Sequence, residues 1–429
     1  MYEWILFSST LLVTIFFLKV VTFPKKVIQL NFKLFFFIGF GLRVLCFFFP
    51  PVWEDDWARY LWEGNLIRNW ISPYEVAPNF YFSEFLEPLP SEILSKINHP
   101  DWTTIYSPFI LLYFSLFTYG FSTFFLKVSY LFFESICFAI VPKHKMNFMM
   151  LLYWVYPIFI KEVYINLHFE VLLVSFFWIF YTFLKKENLK LGAGIFGFLV
   201  HMKFLTSIYG LLFIPYLRLK NSKQTPAFWI QVVLSLSIGF LLFFGFYLIL
   251  FPNSNDFGLS NLHHFGETFT FNQFFEPVWK FFFTINLRSI PFFFQFLLLF
   301  IYLYLTLKEK NKTKRFFVLC QKHDFYFYFG YFIFTNIPVV NPWYFLTLVP
   351  LIIISRSQSI LPWILISSLQ LSYLTNIRLG FHFQFLYEIP TPILVLEAIL
   401  SISCIFLYFR RIFILLYKIS NISNIALKG

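Results

Sequence analysis

The sequence predicts an all-α protein, a polytopic bundle of transmembrane helices. Three observations carry that reading. Only 13% of the 429 residues are charged and 59% are hydrophobic, whereas soluble domains hold about 25% and about 45–50%. Phenylalanine alone fills 69 positions, and the mean hydropathy is +0.71. Apolar runs recur along the whole chain, about ten to thirteen of them, and a spanning helix takes about 20 residues. Such a chain requires an apolar solvent, which excludes a soluble enzyme, a disordered tail and a nucleic-acid module. The 33 Lys and Arg against 21 Asp and Glu leave a net charge of +12. In a membrane protein that excess belongs to the cytoplasmic loops.

Residues 4–23 make the first run, read as a span and not as a removed signal segment, because no basic stretch precedes it. Pro24-Lys25-Lys26 and Lys33 follow, then a second run over 34–51 that ends at Pro50-Pro51. Residues 52–102 form the longest polar stretch and are expected to bear short juxtamembrane helices. They hold nine acids (Glu54, Asp55, Asp56, Glu63, Glu75, Glu84, Glu87, Glu92 and Asp101) against Arg59, Arg68 and Lys96. The scarcity of cations puts this loop outside, opposite the basic turn 24–33. Further runs follow near 105–126, 128–142, 147–160, 165–184, 191–217, 227–251, 281–307, 325–340, 343–355, 359–376 and 391–409. Their basic linkers do not alternate cleanly, so some runs are expected to be short, broken or interfacial. Residues 1–429 are read as one transmembrane domain. Cys46, Cys137, Cys320 and Cys404 lie in or beside apolar runs without paired spacing, and are expected to be core residues.

The chemistry is expected in the first outer loop. Asp55 and Asp56 are adjacent carboxylates at a membrane boundary, where mutual repulsion raises one proton affinity. That suits a general base for a hydroxyl. The same residues also suit the start of a helix, where acids complement the dipole. Arg59 falls on the helical face of both. Lys203 sits inside an apolar run, where an ammonium costs about 3 kcal/mol or more. It either snorkels to the interface or meets an anion. His201 shares that ambiguity. His263-His264 with Glu267 offers a weak metal alternative.

The order Asp55-Asp56-x-x-Arg59-Tyr60-Leu61-Trp62-Glu63-Gly64, then Ser72-Pro73-Tyr74-Glu75-Val76-Ala77-Pro78, then Ile97-Asn98-His99-Pro100 to Tyr106-Ser107-Pro108 resembles the first outer loop of the polytopic GT-C glycosyltransferases. The bacterial α-mannosyltransferase-like branch is nearest. Ser72 stands where that family has Asn, and Ser107-Pro108 where it has Pro-Pro. Glu162 to Glu170 is similar to its E-x-x-x-x-x-H-x-D/E segment, with Leu167 in place of the usual Gly. His201-Met202-Lys203-Phe204, Phe269-Thr270-Phe271-Asn272 and Asn341-Pro342-Trp343-Tyr344 resemble later family motifs.

The resemblance implies a GT-C-like fold in a bacterial inner membrane. It implies transfer of a hexose, such as mannose, from a polyprenyl-phosphate donor to a glycan or lipid-linked acceptor. Asp55 or Asp56 is then the base. Arg59, Lys203 and Arg378 steady the phosphate. Tyr60, Glu63, His168 and Tyr344 contact substrate, and Glu170 is weighed with His168. These motifs name no cofactor, and a divalent cation is compatible with them. The bilayer is the expected partner and nucleic acid is not. Two other classes stay open: a transporter or flippase, which calls for repeated halves, and a membrane polysaccharide polymerase or ligase.

Overall fold

Long apolar stretches with few glycines favour helices, and prolines set several of their starts. A computed structural model describes residues 2–21, 32–83, 91–140, 148–220, 225–254, 256–276, 324–355, 359–375 and 388–426, with a few positions between 297 and 304. The described chain is all-helical, with one isolated β-bridge between Phe271 and Val339. It divides into two compact units. The first holds Met1–Phe269 with Thr306–Lys314, and the second Thr270–Leu305 with Arg315–Gly429.

In the first unit, α1 (Tyr2–Val21) and α2 (Phe32–Leu45) match the first two apolar runs. The polar stretch 52–102 then supplies α3 (Asp56–Arg68) and two single-turn helices, Phe80–Ser83 and Ser91–Leu94. The run expected over 105–126 is broken earlier. α4 (Pro108–Phe117) stops at Thr118, a turn through Gly120 at φ +64° intervenes, and α5 (Thr123–Ile140) begins. α6 (Phe148–Trp154) and α7 (Pro157–Ile160) lead into a π turn, Lys161–Ile165. α8 (Glu170–Lys185) leaves that turn at a bend of 118°. α9 (Leu189–Met202) is capped by the Asn188 side chain on the Leu191 N–H. The run expected over 191–217 breaks at Lys203, which is extended (φ −156°, ψ 121°), before α10 (Gly210–Lys220). α11 (Pro226–Leu250) has Pro226 at its first position and the Thr225 hydroxyl on the Phe228 N–H. α12 (Leu259–Thr268) follows.

Among the described residues, α11 and the Thr391–Arg410 part of α16 (Thr391–Ala426) are long and apolar enough to cross a membrane. The bent α7–α8 pair passes the same test as one broken span. Along α11 the residues Val233, Ile238, Leu242 and Ile249 are exposed, Ile249 to 77%. Water would penalise such a surface, and lipid would not. In the second unit α13 (Phe325–Phe334), a 3-10 turn Pro342–Leu348, α14 (Val349–Ile354) and α15 (Leu361–Ser368) precede α16. Cys46 and Cys404 are buried free thiols. The side chains of Cys137 and Cys320 fall outside the described residues.

A buried charge network pins the elbow between α7 and α8. Arg43 Nε and Nη2 donate to Glu134 at 2.7 and 2.6 Å, and Nη1 donates to the Gly39 and Trp154 carbonyls. The guanidinium lies 3.8 Å over the Trp154 ring. Glu134 also accepts from Tyr153 (2.6 Å) and from Tyr164 in the π turn (2.5 Å). Both partners are fully buried, and every acceptor is matched, so the network fixes α2, α5, α6 and the elbow in one arrangement.

The described part of residues 52–102 is packed onto the first unit. Residues Ala58 to Ile67 of α3 are buried: Ala58, Leu61, Trp62 and Leu66 pack with Tyr81, Ile93, Leu94 and Ile97, and Tyr60 packs on α4. Tyr60 stacks on Phe114 at 4.3 Å between ring centres. Gly64 permits this approach, because a Cβ there would meet the Phe114 carbonyl at 2.7 Å. Gly64→Ala should therefore cost about 1–3 kcal/mol in thermal unfolding of the purified protein. A variant that melts with the wild type contradicts this docking.

Candidate active site

The site grows from the N-terminus of α3. Asp55 precedes the helix and Asp56 opens it, both half-buried. One side-chain amide holds the pair together: Asn98 Nδ2 donates to Asp55 Oδ1 at 2.8 Å and to Asp56 Oδ1 at 3.0 Å. Asn98 belongs to the Ile97-Asn98-His99-Pro100 motif, so two sequence-distant parts of the loop meet at the carboxylates.

Arg59 makes that meeting rigid. Its Nε donates to the Asn98 carbonyl and Oδ1 at 3.2 and 3.1 Å. Nη1 donates to Glu63 Oε1 at 3.0 Å, and Nη2 to the His99 and Trp102 carbonyls at 2.7 and 3.0 Å. Thr104 donates to Glu63 Oε2 at 2.8 Å. Arg59 was expected at a phosphate, yet each of its nitrogens is engaged inside the loop. Glu63, expected at substrate, is a buried partner of Arg59 and Thr104. Burial pushes its proton affinity up, against the pull of Arg59. Tyr60 is buried between Phe114 and Tyr106, and serves as packing.

Asp56 is the electrostatically distinctive member. Close protein surroundings and the neighbouring Asp55 push its carboxyl from the ordinary 3.8 up to about 6. The Asn98 amide and the charges of Arg59 and Lys203 pull the other way and lose. Lys203 is thus within the field of Asp56, although 147 positions separate them in sequence. The helix break places Lys203 there. At the same break, His201 Nε2 accepts the otherwise orphaned N–H of Phe109, at 3.3 Å, in the first turn of α4. His201 is therefore a structural cap.

Beyond Lys203 lies the polar elbow. Glu170, the first residue of α8, pairs with Lys203. Glu162 accepts from Lys161 at 3.0 Å and from Asn166 at 2.7 Å, and His168 Nε2 is 3.7 Å from its Oε2. The Lys161 ammonium lies 4.3 Å over the Trp53 ring, beside the loop carboxylates. Leu167 adopts φ +70°, a left-handed conformation that favours glycine. The resembling family carries glycine at this position, and here buried leucine accepts the strain.

Of the residues expected at the site, Asp55, Asp56, Arg59, Tyr60, Glu63, His168 and Lys203 lie in the first unit. Tyr344 lies in the second unit, partly exposed on the 3-10 turn. Arg378 lies outside the described residues. Asn98 was missed as a site residue, although it stands in a quoted motif. No three His, Cys, Asp or Glu side chains come together in a metal-holding group among the described residues. His263 and Glu267 are 3.4 Å apart on the exposed face of α12.

Arg59→Ala should release residues 91–107 from α3 and leave Glu63 buried without its cation. The expected cost is about 3–5 kcal/mol, with faster limited proteolysis within that segment. Unchanged melting and proteolysis would contradict the bracing role. No family model, curated protein or solved structure matches the chain.

Proposed function

We propose that the chain is a membrane glycosyltransferase of the GT-C type. In this reading it is a multi-pass bundle of about ten to thirteen spans in a bacterial inner membrane. It moves a hexose such as mannose from a polyprenyl phosphate to a glycan or lipid-linked acceptor at the outer face. The observation that carries the reading is Asp56, a half-open carboxylate of raised proton affinity in the field of an ammonium from an apolar run.

Asp56 takes the proton of the acceptor hydroxyl. The hydroxyl oxygen attacks the anomeric carbon, the bond to phosphate oxygen breaks, and negative charge leaves on the phosphate. Lys203 faces that charge, and an aligned cation lowers the barrier where charge develops. Displacement in line inverts the anomeric centre. A base of proton affinity near 6 is strong yet still ionised at neutral pH, which is the useful compromise. Burial and Asp55 raise that value against the pull of Asn98, and Arg59 holds Asn98 in position.

The base works only when ionised, so transfer from a polyprenyl-phosphate sugar should fall as pH drops through about 6. Asp55→Asn removes the repelling charge and should move that acid limb to lower pH. Asp56→Asn should lower turnover by about 10²–10⁴-fold. Because the folded state raises the proton affinity of Asp56, its ionisation weakens the fold as pH rises from 3.8 through about 6. Asp56→Asn should therefore melt no lower than the wild type at pH 7. Wild-type turnover in a folded Asp56→Asn protein would remove Asp56 from the mechanism.

A further inference from the structure

The Lys203–Glu170 pair has a feature that ordinary structural ion pairs lack. Glu170 is fully buried, and its Oε1 meets Lys203 Nζ, while its Oε2 has no hydrogen-bond partner among the described residues. The Lys203 side chain keeps 17% of its surface open. One partner is thus a half-satisfied buried carboxylate, and the other is an ammonium on a side chain that stays partly open. The fully matched Arg43–Glu134 pair in the same unit shows what a permanent buried pair looks like in this protein.

We infer that Glu170 is a resident counter-anion for Lys203, holding the ammonium while the site is empty and releasing it to the phosphate of the donor. An unpaired ammonium in apolar surroundings is costly, so an empty site needs an anion of its own. Lysine suits an exchange of partners, because its ammonium is a compact charge on a four-carbon stem with three rotatable donors. Glu170 is equipped to be left behind. It sits at the first position of α8, where the N-terminal end of the helix dipole favours a carboxylate. The Lys161 and His168 side chains lie on the same elbow. The exchange also confers selectivity, because a neutral headgroup cannot displace a carboxylate. The inference rests on the reading of Lys203 as the phosphate contact.

The test measures the Kd of farnesyl phosphate for the full chain in nanodiscs, without sugar or acceptor. Glu170→Gln keeps the shape and removes the competing charge, so binding should tighten by about five- to tenfold, at the low end of ordinary coupling between sites. The gain should shrink when Lys203 is also replaced by alanine. Unchanged or weaker binding in Glu170→Gln would make Glu170 a permanent brace and overturn the exchange. A gain of equal size with and without Lys203 would reduce it to general repulsion and also overturn it. Lys203→Ala alone tests the underlying reading, because it should weaken binding at least tenfold. If it does not, the phosphate assignment itself fails, an outcome distinct from failure of the exchange.

Discussion

The structure depends on the cost of placing charge in an apolar protein within an apolar solvent. An isolated ion in such surroundings is unfavourable by several kcal/mol. Each buried charge must therefore have a matched partner, or a function that tolerates the mismatch. Arg43 with Glu134, and Arg59 with Glu63, are of the first kind. Both pairs gather additional hydrogen bonds until their acceptors are matched. Asp55 with Asp56, and Lys203 with Glu170, are of the second kind. Two carboxylates share one amide in the first case, and among the described residues a carboxylate oxygen has no partner in the second.

The matched pairs explain why the mismatched ones can be held. Arg59 ties the Asn98 to Trp102 segment to α3, and thereby fixes the amide that joins the two aspartates. Arg43 and Glu134 fix the π turn through Tyr164, and so the start of α8 where Glu170 stands. Tight contacts serve the same end. Gly64 lets α3 approach α4, and Gly239 of α11 packs against the Gly194 carbonyl of α9 with no room for a side chain at Gly239. The helix that leads into Lys203 is thereby packed closely against α11.

The sequence already indicated helices, an apolar environment, and a distinct polar loop with Asp55 and Asp56 at its start. These features are local, because hydropathy and the order of a motif can be read without tertiary contacts. The breaks at Thr118 and Lys203 were not legible, since both interrupt runs whose hydropathy is continuous. Nor was the division of labour within the first motif. Arg59 and the aspartates share one helix turn, and only the fold of residues 97–104 shows that the arginine faces its own loop. Glu170 and Lys203 lie 33 positions apart, and no periodicity links them. Leu167 was visible as a departure from glycine, but its meaning needed the backbone angle.

The central claim is that the loop carboxylate and the lysine at the helix break act in one site on one reaction. A double-mutant cycle with Asp56→Asn and Lys203→Ala on the rate of sugar transfer tests it most directly. Groups that act together on a single transition state couple strongly, so the double variant should lose far less than the product of the single losses. Losses that multiply, leaving a coupling below about 0.5 kcal/mol, would place the two residues in separate roles and contradict the account.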